Sequence, residues 1–388
     1  MRYVTEELYQ YAVNIRRTIH RHPELGFDLD NTVALVKGEL DKAGIGYTER
    51  YGKGSVVAFI GSDPKKRTIA LRADMDALPL QEHSGVPFSS EIDGRMHACG
   101  HDAHTAALLT AAKILKQHEA ELSCNVRLMF QPSEECEESG ARMMVENGVL
   151  DGVSLVIGQH NETTLAAGRL GIGVGDCQAA CVPLTLRFYG KTAHATLAET
   201  GVDALQMGIA AQLALRDMVR EEAGERRYIW SVGTFHAGTA HNVIADFSEQ
   251  KISFRYYDQS FADRVEVCAH EICREIAERF GGRYELDFHM SCPPVINDPA
   301  ACALFCRAIG DAFPIDPMPS RMSSEDFSWF ETKVPGAFFR SGSGDDTRPL
   351  TRAHNNDFYL NEEGLRAAIE ALVLVTMRYR SSQESNIL

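Results

Sequence analysis

The sequence lacks any stretch that could cross a membrane or direct secretion. No run approaches the ~18 uncharged apolar residues that a membrane helix needs. The N-terminal segment MRYVTEELYQ is charged and amphipathic, so it has no secretory signal core. Internal repeats and low-complexity segments are absent as well. We therefore expect a cytoplasmic protein with no membrane partner.

Positive charge is scarce. The chain has 39 Lys and Arg residues against 54 Asp and Glu residues, which gives a net charge of −15 at pH 7. An acidic surface repels phosphate backbones, so we expect no nucleic-acid partner. Hydrophobic residues at 44% and charged residues at 24% are typical of a folded globular chain. A length of 388 residues allows a large core plus a second domain.

The ten cysteines form no Cys-x-x-Cys motif. Neither a zinc ribbon nor a disulfide framework is therefore indicated. Most of the cysteines are predicted to be small core residues, as for Cys302 and Cys306, which lie four apart on one predicted helical face. Cys99 differs, because three histidines and an aspartate lie within five residues of it.

Strands and helices alternate over roughly the first 175 residues. The runs SVVAFIG, RTIALRADMD, CNVRLMF and GVSLVIGQ are typical of buried strands, and amphipathic helices separate them. This pattern predicts an α/β fold with a mostly parallel central sheet flanked by helices. Because polar residues follow these strands, we expect one rim of the sheet to bring together Asp74, Asp76, Glu134, Glu135 and His160.

The pattern changes after residue 177. Four further runs, VPLTLRFYG, YIWSVGTFHAG, EQKISFRYYD and RYELDFHM, are typical of strands, and helices are predicted after the first and the third. This order matches a ferredoxin-like α+β unit. We therefore predict a main domain in two parts, residues 1–177 and 291–388, interrupted by an inserted domain at residues 178–290.

The segment MHACGHDAH holds the densest cluster of metal-binding residue types. Cys99 and His101 are two residues apart, and thiolate and imidazole are good ligands for zinc and related ions. We predict that both bind metal. His97 and His104 are predicted to be structural, with His104 turned into the fold.

Other carboxylates and imidazoles could complete such a site. Glu134 and Glu135 follow a buried strand in QPSEE, where one carboxylate could bind metal while its neighbour acts as a general base. His160 and His354 are each typical of structural histidines when considered alone. Together they would supply ligands from separate loops, as a two-metal site needs.

Eight motifs in order resemble one known family. The motifs are LRADMDALP, MHACGHDAH, QPSEE, GQH, GKTAHA, HNVIAD, SSEDF and AHNNDF. They resemble those of the zinc-peptidase-like aminoacylase/carboxypeptidase superfamily, and the resemblance extends from HRHPELGF to the C-terminal helix. The branch that the chain resembles contains N-acyl-amino-acid amidohydrolases, auxin-conjugate hydrolases, N-acetyldiaminopimelate deacetylase and aminobenzoyl-glutamate hydrolase.

This resemblance implies a metal-dependent amidohydrolase that cleaves N-acyl or N-aroyl amino acids to a carboxylic acid and a free amino acid. It implies two divalent metal ions. Thiolate favours zinc, whereas the other ligand types also suit manganese, nickel or cobalt, so we expect zinc or manganese, with nickel and cobalt as further options. Cys99 would bridge the two ions. The implied ligands are Cys99, His101, Glu135, His160 and His354.

The resemblance implies further roles around these ligands. Glu134 matches the general base, acting on a metal-bridging hydroxide. His194 matches a histidine of the inserted lid and dimerisation domain that reaches the active site of the partner subunit in a homodimer or higher homo-oligomer. Asn242 matches a contact to the substrate carboxylate. Asp76 would accept a hydrogen bond from a ligand imidazole and so orient it. Asp74 stands where distant relatives have a metal-binding histidine, although a structural role suits Asp74 equally.

The sequence is also compatible with other functions. A metallo-dipeptidase or carboxypeptidase would need a contact for a free α-amino group, which the sequence does not reveal. A catalytically inactive metal-binding or amino-acid-binding protein should have lost the base or a ligand, and none is missing. A Cys99 thiol nucleophile conflicts with the metal-binding residue types around that sulfur. GQHNETTLAAG lacks the proline that is common after this histidine in relatives, which leaves the substrate open.

Overall fold

The computed structural model describes residues 2–345, 347 and 350–379. The chain divides into two compact units: the first comprises Met1–Cys177, Val295–Ser320 and Asp326–Leu388, and the second comprises Gln178–Pro294 and Arg321–Glu325. The first boundary coincides with the one predicted from sequence. The return to the first unit comes at residue 295 instead of 291.

The short segment Arg321–Glu325 was not predicted to belong to the second unit. It joins that unit through hydrogen bonds over long sequence separations. The Ala179 N–H donates to the Arg321 carbonyl at 3.1 Å, and Arg255 donates to the Ser324 hydroxyl at 2.9 Å. Only the folded chain brings these partners together.

The strands are numbered along the chain: β1 (Tyr47–Thr48), β2 (Val56–Ile60), β3 (Thr68–Asp74), β4 (Asn125–Gln131), β5 (Val153–Ala166), β6 (Leu170–Ile172), β7 (Gly175–Gln178), β8 (Val182–Tyr189), β9 (Ile229–Ala237), β10 (Phe247–Arg255), β11 (Arg283–Phe288), β12 (Val295–Asn297), β13 (Ile315–Pro317) and β14 (Gly336–Gly344).

The helices are α1 (Glu6–Arg21), α2 (Asp30–Lys42), α3 (His101–Gln117), α4 (Gly140–Glu146), α5 (Ala204–Ala223), α6 (Gln259–Phe280), α7 (Pro299–Ile309), α8 (Ser328–Glu331) and α9 (Gly364–Met377). Short 3-10 turns occur at Glu119–Glu121, Ala195–Thr200 and Gly310–Ala312. None of the described helices is long and apolar enough to cross a membrane.

The first unit contains an eight-stranded sheet in the order β1-β2-β4-β3-β5-β14-β6-β13. The pairs β4–β3, β3–β5, β5–β14 and β6–β13 are parallel, and the remaining pairs are antiparallel. The predicted α/β fold with a mostly parallel sheet is therefore confirmed. β3 and β4 are buried along most of their length because helices cover both faces of the sheet.

Helices form a layer on each face of this sheet. One hydrophobic cluster joins the strands to α1, α2, α3, α7 and α9, with Leu108 and Leu372 among its fully buried residues. A second cluster joins the opposite face to α4 and α8 through Met144 and Phe330. α3 is buried along almost its whole length, so its first residue, His101, is held rigidly at the edge of the sheet.

The second unit has four antiparallel strands in the order β11-β8-β10-β9. α5 follows β8 and α6 follows β10, which confirms the ferredoxin-like arrangement. Burial alternates along β8, with Leu184, Leu186 and Phe188 packed against the two helices. This alternation is typical of a sheet with one covered face.

Candidate metal centre

Polar side chains gather where the parallel strands of the first unit end. β3 ends at Asp74, β4 ends three residues before Glu134, and β5 carries His160. α3 begins at the same rim with His101. The carboxyl ends of such strands are where ligands bind in open α/β sheets.

His101 is fully buried at the centre of this rim. Its Nδ1 and Nε2 atoms have no hydrogen-bond partner among the described residues. Burial opposes a charge on the ring, but the surrounding carboxylates, Asp74 first, raise the pKa of His101 to about 10. The cluster therefore stabilises positive charge at this point. Oxygen atoms lie 3.6 to 3.8 Å from the ring nitrogens and belong to Asp74, Asp76, Glu134 and Glu135.

The sulfur of Cys99 belongs to two groups of potential metal ligands. One group is Cys99, His101 and His160, and the other is Cys99, Glu135 and His354; the donor atoms within each group lie within 4.8 Å of one another. The sulfur is 3.2 Å from His160 Nε2, and His354 Nε2 is 3.3 Å from Glu135 Oε1. Burial and the nearby carboxylates, Glu135 first, raise the pKa of the Cys99 thiol. A bound cation is what would hold this group as a thiolate.

Gly100 allows the residues on either side of it to face the same cluster. Its backbone is left-handed, with φ at 89°. A Cβ atom at this position would lie 2.2 Å from Asn161 Oδ1. Only glycine meets both conditions without strain, which explains why this residue separates Cys99 from His101.

His160 presents one defined nitrogen to the cluster. Its Nδ1–H donates to the Asn161 carbonyl at 2.7 Å, so the lone pair of Nε2 faces Cys99. Burial, and then His104 and Arg340, lower the pKa of His160. The ring is therefore neutral, which is the form that binds a metal.

Asp76 fixes the turn that carries the two adjacent glutamates. Its Oδ1 accepts the Glu134 N–H at 2.9 Å, and its Oδ2 accepts the Glu135 N–H at 3.0 Å. The preceding Ser133 has φ at 52°, an uncommon conformation for a residue other than glycine. Asp76 was predicted to orient an imidazole, and its Oδ1 lies 3.6 Å from His101 Nδ1. Its shorter contacts, to the two backbone N–H groups, set the directions of the two glutamates.

His104 and Asp74 form a buried pair behind the cluster. His104 Nδ1 lies 2.6 Å from Asp74 Oδ1, and the Asn161 N–H donates to His104 Nε2 at 3.0 Å. Protein partners engage both ring nitrogens, which agrees with the structural role predicted for His104. Burial opposes ionisation of Asp74, but the Arg72 and His101 side chains hold the pKa of Asp74 well below its usual range.

Arg72 and Asp326 had no predicted role, yet they support this pair. Arg72 is fully buried and donates to Asp74 at 2.7 Å, to Gln131 at 2.8 Å and to Asp326 at 3.0 Å. Asp326 also accepts the Ser139 hydroxyl at 2.7 Å. A charged residue inside the apolar run RTIALRADMD was the sequence signal for this network.

A second buried network behind α3 was also not predicted. Asp102 accepts Arg16 Nε at 3.1 Å and His20 Nδ1 at 2.8 Å. His20 Nε2 lies 3.2 Å from Glu82. Burial opposes the charged ring, but Asp102 and Glu82 together raise the pKa of His20. These contacts anchor the first turn of α3, directly after His101, to α1.

His354 and His97, two further histidines of the first unit, differ in their surroundings. His354 has a left-handed backbone with φ at 66°, and its N–H donates to the Ala98 carbonyl at 2.9 Å, which places it beside Cys99. His97 is buried, and burial lowers the pKa of His97 to about 3. A neutral buried ring is consistent with the structural role predicted for His97.

His194 and Asn242 lie in the second unit on neighbouring segments. Both are exposed. The backbone N–H after His194, that of Ala195, donates to the Asn242 carbonyl at 2.9 Å, and His194 Nδ1 lies 2.8 Å from the Thr196 hydroxyl. The fold thus brings these two predicted residues together within their own unit.

The donor set of the first unit fits a pair of divalent cations. It combines a thiol, imidazole nitrogens and carboxylate oxygens, which are the atoms that zinc and related ions bind. The ring of His101 has two buried nitrogens without a hydrogen bond to any described residue. Two ligand groups that share one sulfur are what a dinuclear site needs.

Comparison with known proteins agrees with this arrangement. Residues 70–378 match the profile of Peptidase family M20/M25/M40. The chain belongs to this family.

Individual relatives cover nearly the whole chain. An N-acetyl-L-cysteine deacetylase of Bacillus subtilis is 36% identical over 342 residues, 87% of this chain and 82% of the relative. The IAA-amino acid hydrolase ILR1-like 4 of Arabidopsis thaliana is 34% identical over 98% of this chain and 89% of its own length. A solved dinuclear metal-binding peptidase of the M20 family from Bacillus subtilis superposes with a TM-score of 0.84 at 30% identity, covering 96% of this chain and 98% of that one. The protein is therefore a metal-dependent amide hydrolase that binds two divalent metal ions.

Proposed function

We propose that the protein hydrolyses the amide bond of small N-acyl or N-aroyl amino acids, releasing a carboxylic acid and a free amino acid. The observation that carries this proposal is the pair of ligand groups that share the Cys99 sulfur, with Glu134 Oε2 beside them at 3.8 Å from His101 Nε2. The names of the deacetylase and IAA-amino acid hydrolase relatives support this class of substrate.

The two ligand groups suggest how the ions are divided. His101 and His160 would hold one ion, Glu135 and His354 would hold the other, and Cys99 would bridge them. The thiolate favours zinc, while the other ligands also suit manganese, so we propose zinc or manganese. When bound, such ions polarise an amide carbonyl and make water a stronger acid.

The side chains around the ligands have distinct roles in the proposed reaction. Glu134 accepts a proton from the attacking water and later delivers it to the nitrogen of the departing amino acid. Asp76 keeps this carboxylate in place through the Glu134 backbone N–H. His194 would donate a hydrogen bond to the developing oxyanion, and Asn242 would contact the substrate carboxylate.

The roles of His194 and Asn242 imply a homodimer in which the second unit forms the interface. α5 exposes three apolar side chains on one face, with Leu205 at 36%, Ile209 at 39% and Leu213 at 49% of full exposure. β9, which packs against α5 at Gly208, is an edge strand of its sheet. An edge strand beside an apolar face can pair with its own copy across a twofold axis. An active enzyme that is strictly monomeric in solution would contradict this role of His194.

Replacement of Glu134 by glutamine tests the proposed reaction. We expect the variant to retain its metal content and to lose turnover by several orders of magnitude on N-acetyl, aromatic-acyl and indole-acyl amino acids. Glu137→Gln, an exposed change on the same turn, serves as the matched control and should keep normal turnover. Near-normal hydrolysis by the Glu134 variant would refute the role of Glu134, and hydrolysis of dipeptides in place of acyl amino acids would refute the substrate class.

A further inference from the structure

Two cysteines lie where the chain passes into and out of the second unit. The chain crosses into this unit after Cys177 and returns to the first unit at Val295. Cys181 follows the first crossing, and Cys292 precedes the second. The two are partners in an isolated antiparallel bridge. All four strands and both helices of the second unit lie between them in the sequence.

The backbone holds these two residues opposite each other. The Cys181 N–H donates to the Cys292 carbonyl at 3.0 Å, and the N–H groups of Ser291 and Cys292 both point to the Cys181 carbonyl, at 2.8 and 3.4 Å. Two consecutive amides facing one carbonyl are typical of a β-bulge. The bridge continues the β8–β11 pairing, which begins at Leu184 and Phe288. Cys181 therefore has Cys292 as its direct neighbour across the pair.

This spacing suits a disulfide bond. Opposed residues of an antiparallel pair have Cα atoms roughly 4.5 to 5.5 Å apart, within the range of about 4.4 to 6.8 Å that disulfides span. Both residues are thiols in the structure. Cys181 is half-buried, whereas Cys292 is only 5% exposed. Cys181 is therefore the more accessible of the two residues and the one that a reagent in solution meets first.

We propose that Cys181 and Cys292 form a reversible modification site, oxidised to a disulfide by low-molecular-weight disulfides such as oxidised glutathione. The Cys181 thiolate attacks one sulfur of the small disulfide, forms a mixed disulfide and releases one small thiolate. The Cys292 thiolate then attacks the Cys181 sulfur and displaces the second small thiolate. The two protein thiols are oxidised, the small disulfide is reduced to two thiols, and these take up the two protons.

The attack of Cys292 on the mixed disulfide makes a protein disulfide more favourable at Cys181 and Cys292 than at a cysteine without such a neighbour. Cys292 is held next to the mixed disulfide, so its attack is intramolecular and competes well with free thiols in solution. Cys268 and Cys273 of the same unit lie on α6, five residues apart and so on different sides of the helix. Within the described part of the chain, neither faces another cysteine across a strand pair. Because Cys181 is partly exposed, thiols in solution can also attack the bond and reduce it again, so it is of the reversible type.

The disulfide would join the two ends of the segment that contains all four strands and both helices of the second unit, and so close that segment into a covalent loop. Cross-linking residues that are far apart in sequence reduces the conformational freedom of the unfolded chain. We therefore expect the oxidised protein to unfold at a higher temperature, by several degrees, in the transition that belongs to the second unit. This effect does not depend on the proposed substrate, because it requires only the bond and the fold.

The test uses the full-length, metal-loaded protein equilibrated with mixtures of reduced and oxidised glutathione. After trapping the remaining thiols by alkylation, non-reducing peptide mass analysis should show a peptide linking Cys181 to Cys292. Cys268→Ser, the matched control, should give the same linked peptide and the same rise in unfolding temperature. Cys181→Ser should give neither, and Cys292→Ala should leave a persistent glutathione adduct on Cys181.

Three results would overturn the proposal. The first is absence of the linked peptide in excess oxidised glutathione. The second is a glutathione adduct on Cys181 that persists equally in the unmodified sequence and in the Cys292 variant. The third is a rise in unfolding temperature that Cys181→Ser retains. Cys181 is half-buried, so its serine variant should fold and keep the test decisive even if the Cys292 variant does not.

Discussion

Replacing Arg72 by methionine should destabilise the first unit strongly. The side chain has no solvent exposure, and it donates hydrogen bonds to the Asp74 and Asp326 carboxylates and to Gln131. Methionine fills a similar volume but removes the guanidinium from both buried carboxylates. Removing one partner of a buried ion pair costs about 3 to 5 kcal/mol. This is a large part of the roughly 5 to 15 kcal/mol that stabilises a typical domain.

Chemical unfolding of the metal-loaded protein, followed through the transition of the first unit, measures this loss. Arg169→Met is the matched control, because Arg169 pairs with Asp316 of the same sheet through two short bonds but is partly exposed. Exposed pairs contribute little to stability. Arg72→Lys should fall between the wild type and methionine, since an ammonium group cannot reproduce the planar fork of a guanidinium. An Arg72→Met loss no larger than that of Arg169→Met would refute the reasoning.

Other predictions follow from single contacts. Gly100→Ala should destabilise the protein and weaken metal binding, measured by calorimetry and metal titration, because its Cβ would lie 2.2 Å from Asn161 Oδ1; Gly85→Ala, also left-handed but in open space, should cost only about 1 kcal/mol. Since the pKa of His20 is raised in the folded state, its stabilising contribution is complete below about pH 6.5 and is lost as the pH rises through the folded-state value. The difference in unfolding free energy between wild type and His20→Gln should therefore shrink as the pH rises through the folded-state pKa of His20, and a difference that stays constant with pH would contradict this role. Removal of metal by a chelator should lower the unfolding temperature of the first unit and abolish turnover, and added zinc or manganese should restore both; an unchanged unfolding temperature would argue against the charge balance inferred for the site.

The sequence sufficed for the fold class because its signals are local. β3 and β4 are mostly apolar and lie between amphipathic helices, a pattern that predicts a parallel sheet. The cluster around Cys99 was also visible, since its residues are close in sequence or follow strands that end at the same rim. Gly100 is an example of a motif residue whose role the sequence does not explain. The motif contains a glycine at this position, and the structure shows the reason, because Asn161 lies too close for any other side chain.

The two supporting networks were beyond sequence reasoning for a physical reason. Arg72 and Asp326 are hydrogen-bonded although 254 positions separate them in the sequence. His20 and Asp102 likewise come from separate helices. A charged residue in a buried strand or helix indicates that some partner exists, because an isolated buried charge is too costly. It does not indicate which residue that partner is.

The charges of the first unit connect its stability to its chemistry. Four carboxylates face the buried ring of His101, and Arg72 hydrogen-bonds one of them, Asp74. Burial lowers the pKa of His101, but the carboxylates raise it to about 10, which indicates an excess of negative charge in this buried region. Divalent cations relieve that excess only in the folded chain, which brings the ligands together. Metal binding therefore adds to folding stability, and the same charge imbalance that makes the apo site unfavourable gives the holo site its affinity.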